Sequence, residues 1–91
     1  MARVYLFPVQ RSDSKTVADP DDWPFMEQSG KVLANIPDTW KAYPNTEAGM
    51  MDIIKMEFGE VTRAGSPKER MAELVHLASA CLHLWRHYNA T

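Results

Sequence analysis

A chain of 91 residues has room for one small domain. Its net charge of −2 covers an even mixture: six acids and five bases precede Asn45, and as many of each follow it. No basic stripe is present, which argues against a dedicated nucleic-acid binder, and the single Cys81 excludes an internal disulfide and a cysteine-rich zinc site.

The first residues, Met1-Ala2-Arg3-Val4-Tyr5-Leu6-Phe7-Pro8, form too short an apolar run for a signal peptide. No later stretch is long enough to span a bilayer, so a cytoplasmic protein without membrane contact is expected. With 45% apolar residues and three tryptophans, so small a chain is expected to complete its core by self-association.

Five of the six prolines fall at positions 8, 20, 24, 37 and 44, which predicts an irregular, Pro-rich segment over residues 1–44. Within it, residues 4–9 suit a short strand or extended arm, and residues 10–22 a loop. One short helix fits residues 25–35, weakened by Gly30 and ended before Pro37. Residues 37–44, with Trp40 and Tyr43, fit a further single turn.

The signals sharpen after Pro44. Asn45 or Thr46 can cap a helix over residues 46–64, and Glu47 suits its positive end. Met50, Ile53, Ile54, Val61 and Ala64 then recur at helical spacing, and Gly65 supplies a stop. Ser66, Pro67 and Glu69 make a capping box for a second helix over residues 67–88. Its apolar stripe runs through Met71, Leu74, Val75, Ala78, Leu82 and Trp85, widened by Leu77, Cys81 and Leu84. So wide an arc is expected to touch more than one neighbour. The turn between the helices forces an antiparallel hairpin, and the predicted fold is all-α, built on that hairpin with the N-terminal segment draped over it.

Folding the chain at Gly65 brings Glu57, Glu60, Glu73 and His76 to one level. Glu57 falls inside the stripe of Met50, Ile54 and Val61, with Glu60 at its edge. An ionised carboxylate there costs several kcal/mol unless it is paired or holds a metal. Pairing with Lys55, Arg63 or Arg70 is one solution. The Glu-x-x-Glu spacing points to the other, because carboxylates at i and i+3 can share a divalent cation, Mg²⁺ or Mn²⁺ for hard oxygen ligands. His76 is in line with His83 and His87, a row that is equally a solvated stripe; the latter two, at i and i+4, form a weak transition-metal pair at most.

Glu57-x-x-Glu60, twelve residues and then Glu73-x-x-His76 resembles the signature of the MazG-like all-α nucleoside triphosphate pyrophosphohydrolases. That family carries Glu-x-x-Glu on one helix and Glu-x-x-Asp on the next. The run Glu57-Phe-Gly-Glu60-Val with Ala64 is similar to theirs, and the likeness extends over roughly residues 50–88. The resemblance implies Mg²⁺-dependent hydrolysis of an NTP or dNTP to the monophosphate and pyrophosphate. Glu57, Glu60 and Glu73 would be catalytic metal ligands, with His76 standing where the family has Asp and removing one negative charge. It also implies a four-helix-type core completed in a homodimer or homotetramer. For the nucleotide, Trp40, Trp23 and Tyr43 offer stacking faces, and Arg63, Lys55, Lys41 and Lys68 offer cations; the plainer role of each tryptophan is core packing.

Two other readings stay open. Glu73-x-x-His76 with Glu57 or Glu60 is also the half-site of a di-iron carboxylate bundle assembled across a dimer axis. A third possibility is a non-catalytic interaction protein of phage or mobile-element type, which binds a host protein or sequesters a nucleotide without cleaving it.

Overall fold

The computed structural model describes residues 20–90. Three helices pack together: α1, Trp23–Ala34; α2, Glu47–Arg63; and α3, Pro67–Asn89. A 3₁₀ turn at Pro20–Asp22 leads into α1, and a second at Asp38–Ala42 lies between α1 and α2. The all-α expectation holds. The strand or arm expected at residues 4–9, and most of the loop expected at 10–22, lie outside the described residues.

Among the described residues of the Pro-rich segment, the short helix expected at 25–35 and the single turn expected at 37–44 are both present, as α1 and the turn Asp38–Ala42. α1 is a full 12-residue helix packed on α3. Pro24 sits in its first turn, where a missing N–H costs nothing, and Pro37 lies beyond its end. Proline punctuates this helix without entering its interior.

α2 begins where Thr46 is extended and its hydroxyl accepts from the Gly49 N–H at 3.1 Å. Gly49 is required by crowding. A Cβ there would stand 2.0 Å from the Pro44 carbonyl oxygen.

The turn between α2 and α3 departs from the expected glycine stop. Ala64 leaves the helix in an extended conformation, and Gly65 has no left-handed backbone. Arg70 closes the end instead, donating from Nε to the Val61 carbonyl at 3.1 Å and from Nη2 to that of Ala64 at 3.0 Å. A guanidinium therefore sits at the negative end of the helix dipole. At the start of α3 the Ser66 hydroxyl accepts from the Glu69 N–H at 3.1 Å. The Glu69 carboxylate reaches the Gly65 N–H at 2.8 Å, one residue before the position a capping box uses.

The hairpin is antiparallel, as predicted. Arg70 meets Val61 at one end, and the Tyr88 phenol donates to the Glu47 carboxylate at the other. The core is small: Trp40, Ile53 and Ala80 at its centre, with Val32, Leu33, Ile36, Tyr43, Ile54 and Met56 packed around them. α1 approaches α3 through serines. The buried Ser79 hydroxyl lies 2.8 Å from the Ser29 carbonyl and 2.7 Å from that of Val75, and shares its one proton between them.

Only part of the α3 arc read from the sequence packs on α1 and α2. Ser79, Ala80 and Leu84 are buried, whereas Met71, Leu74 and Trp85 are exposed. Small residues admit the neighbouring helix closely, so the wide apolar arc turns its large side chains outward. No described helix is long and apolar enough to cross a membrane.

Candidate metal centre

Glu57 comes from the middle of α2, on the row that also buries Met50 and Ile53. Only 3% of it is exposed. Its partner is none of the cations named from the sequence. The indole Nε1–H of Trp40 donates to Glu57 Oε2 at 2.7 Å. Trp40 is itself 2% exposed and is held by the 3₁₀ turn Asp38–Ala42.

Glu73 and His76 lie one turn apart on α3, both half-buried. His76 Nδ1 is 3.4 Å from Glu73 Oε1. One ligand atom from each of Glu57, Glu73 and His76 falls within 4.8 Å of the others. The fold thus brings together three of the four expected ligands. Two carboxylates and an imidazole make a mixed oxygen–nitrogen donor set. Mn²⁺ and Fe²⁺ accept such a set readily, whereas Mg²⁺ prefers oxygen throughout.

Glu60 is the fourth expected ligand and is not in the group. Its carboxylate pairs with Arg63, 3.3 Å away and three residues on. The i, i+3 spacing that suggested a shared cation is satisfied locally by a cation of the chain's own. The same pair accounts for Arg63, which was expected to meet phosphate. Lys55 projects from the far side of α2 and lies 4.0 Å from Asp52, exposed. Lys41 is paired with Asp38 at 3.0 Å.

Trp40 departs from the expected stacking role. Its ring is in the core, with its N–H committed to Glu57, and it meets the imidazole of His83 at a centroid distance of 5.6 Å. Core packing is the role the structure gives it; Trp23 and Trp85, by contrast, are exposed. His83 faces Trp40 while His87 packs edge-on against Tyr88, so this histidine pair is engaged with aromatic rings. Burial, followed by the neighbouring His87 and Arg86 charges, holds the His83 imidazole below its usual pKa.

Two cavities flank these groups. Trp40, Tyr43, Met50, Ile53 and His83 border one of about 210 Å³. The other, about 350 Å³, lies between α1 and α3 and has His76 in its wall. Gln28 and Lys31 of α1 and Asn35 at its C-terminal cap, which line it, carry no motif and could not have been picked from the sequence.

No protein-family model, curated protein or solved structure matches this chain.

Proposed function

We propose that this protein is a metal-dependent nucleotide pyrophosphohydrolase, or a nucleotide-binding derivative of one, with its centre at Glu57, Glu73 and His76. The convergence of those three side chains within 4.8 Å carries the reading. A carboxylate buried to 3% exposure beside another carboxylate is costly, and a dication offsets that cost. The resemblance of Glu57-x-x-Glu60 and Glu73-x-x-His76 to the MazG-like signature supplies the reaction class.

Glu57, Glu73 and His76 would hold the cation, and Mn²⁺ suits their donors better than Mg²⁺. A cation bound there would supply charge against the phosphate oxygens and lower the pKa of a water. Trp40 fixes the Glu57 carboxylate through Oε2, leaving Oε1 for the ligand side. Glu60, three residues from Glu57 on the same helix and half-exposed, would take the proton of the attacking water once released from its pair with Arg63. Water adds to the α-phosphorus, the bond to the β-phosphate oxygen breaks, and pyrophosphate departs with a nucleoside monophosphate left behind.

The purified chain is offered each NTP and dNTP in Mn²⁺ and in Mg²⁺, and pyrophosphate is measured. Release with at least one nucleotide, abolished by Glu57→Gln, supports turnover. A binding derivative gives no release, yet its thermal unfolding midpoint rises with Mn²⁺ and nucleotide together. Neither response across the panel ends the proposal.

The exposed side chains support a homodimer as the working form. Met71, Leu74, Ala78, Cys81, Trp85 and Tyr88 recur on α3 at alternating spacings of three and four, the seam pattern of paired helices. Glu47, Met51, Ile54 and Phe58 form a row on α2. The Tyr88–Glu47 hydrogen bond joins the two rows into one face. Trp85, Tyr88 and Phe58 are at least half exposed, and with Met51, Met71 and Leu74 they offer several hundred Å² of apolar area. That approaches the ~800 Å² per partner of a stable interface. A second copy of this chain is its assigned occupant.

A further inference from the structure

The cleft between α1 and α3 has the size and lining of a ligand site, and it opens beside the carboxylate–imidazole group. Its volume of about 350 Å³ is at the small end of the range for organic ligands. Val32, Ala72 and Val75 give it an apolar wall. Gln28 and Lys31, one turn apart on α1, and Asn35 just past its C-terminus line it on the other side. His76 belongs both to the cleft and to the proposed metal centre.

Each of these polar groups has a distinct use. A carboxamide presents a donor and an acceptor side by side, the pattern that matches the edge of a nucleobase. An ammonium meets phosphate as a point charge. Lys31 now lies 3.7 Å from Glu27, with both side chains about two-thirds exposed or more. Such a pair is weak in water and gives way to a stronger anion.

We infer that this cleft holds the nucleoside end of the substrate: the base edge on Gln28 and Asn35, the ring against Val32 and Val75, and Lys31 on the phosphates leading to His76. The inference rests on the nucleotide reading above and assigns its recognition to α1, away from the Lys55 and Arg63 cations. It also identifies the ligand class as a nucleoside triphosphate and not a bare polyphosphate.

The test compares two probes on the full chain in Mn²⁺ by calorimetric titration: inorganic triphosphate and each of the four dNTPs. The expected result is at least a tenfold preference for one dNTP over triphosphate. In a Gln28→Ala, Asn35→Ala variant that ratio falls to within twofold. Gln28 is exposed on α1 and Asn35 is exposed just past its end, so the fold is checked by an unchanged helical circular dichroism spectrum. A ratio of affinities cancels any general weakening of the site. Triphosphate binding without a dNTP preference, or a preference that survives in the variant, overturns the cleft assignment alone. Failure of both probes to bind overturns the nucleotide reading and the cleft with it.

Discussion

The Trp40 indole N–H donates to Glu57 Oε2 at 2.7 Å, across 17 residues of chain, with both side chains almost wholly buried. Each solves the other's problem. A buried carboxylate needs a donor, and a buried indole N–H needs an acceptor. The bond also ties the turn Asp38–Ala42 to the middle of α2, so the connection between α1 and α2 is clamped where the proposed ligands converge.

Breaking that bond should cost more than packing alone. A hydrogen bond to a charged group contributes ~1.5–3 kcal/mol, and Trp40→Phe removes the donor while keeping an aromatic ring. Because the smaller ring also leaves a void, a double-mutant cycle with Glu57→Leu separates the two effects. Urea unfolding of the four proteins should give a coupling energy above ~1 kcal/mol. Additivity within ~0.5 kcal/mol would mean that the two residues merely sit side by side.

What the sequence could reveal was set by range. The helix pair was legible because caps and periodicity are local: Thr46, Ser66 and the recurrence of Met50, Ile53 and Ile54 act within a few residues. Glu57, Glu73 and His76 could be placed together because a short turn fixes the relative height of two helices. Glu60 went astray on a local competitor, since Arg63 at i+3 satisfies it without a metal. Trp40 and the cleft residues Gln28, Lys31 and Asn35 depend on how α1 and its turn dock, and nothing in their own neighbourhood encodes that. The α3 arc was read as apolar and too wide for one neighbour, but periodicity does not say which side of a two-sided helix meets the rest of one chain; Leu84 turned inward, and Met71 and Trp85 outward.

Gly49→Ala tests crowding against propensity. Alanine favours a helix over glycine by ~1 kcal/mol, so an unhindered position would be stabilised. Here the added methyl would lie 2.0 Å from the Pro44 carbonyl oxygen, which belongs to backbone and cannot swing aside. The net change should be a loss of ~1–3 kcal/mol. Gly30→Ala on α1, where a Cβ meets nothing within 4 Å, should be neutral or stabilising in the same urea series. Equal effects at the two glycines would count against the close approach of Pro44.

His83 should make the fold sensitive to mild acid. Its imidazole is held below the ordinary histidine value of 6.5, first by burial and then by His87 and Arg86. The unfolded chain therefore binds a proton that the native chain resists. Stability rises with pH between the lowered native value and 6.5, and is lost as the pH falls from 6.5 through that native value. Thermal unfolding followed from pH 7.5 downward should show the decline beginning near 6.5, and His83→Gln should reduce the slope in that window. An unchanged slope in the variant would place the proton uptake elsewhere.

The exposed face of the hairpin makes the sharpest demand on solution behaviour. Monomeric soluble proteins rarely present so many large apolar side chains in one connected strip, and here Phe58, Met71 and Trp85 are 57%, 69% and 61% exposed. Their alternating spacing on α3 favours a facing helix over scattered contact, and a two-fold axis lets one face serve as its own partner. Sedimentation of the wild-type chain should give a dimer. Leu74→Glu and Trp85→Glu should each give a folded monomer, because a carboxylate in an apolar seam loses water without gaining a partner. Cys81 adds a geometric check. It is exposed and lies near the midpoint of the α3 row, where an axis perpendicular to the helix brings equivalent residues together. Mild oxidation should then link two chains through Cys81, with a yield that falls sharply in Trp85→Glu. A wild-type monomer at high concentration, or cross-linking that ignores Trp85→Glu, would leave this face to some other partner.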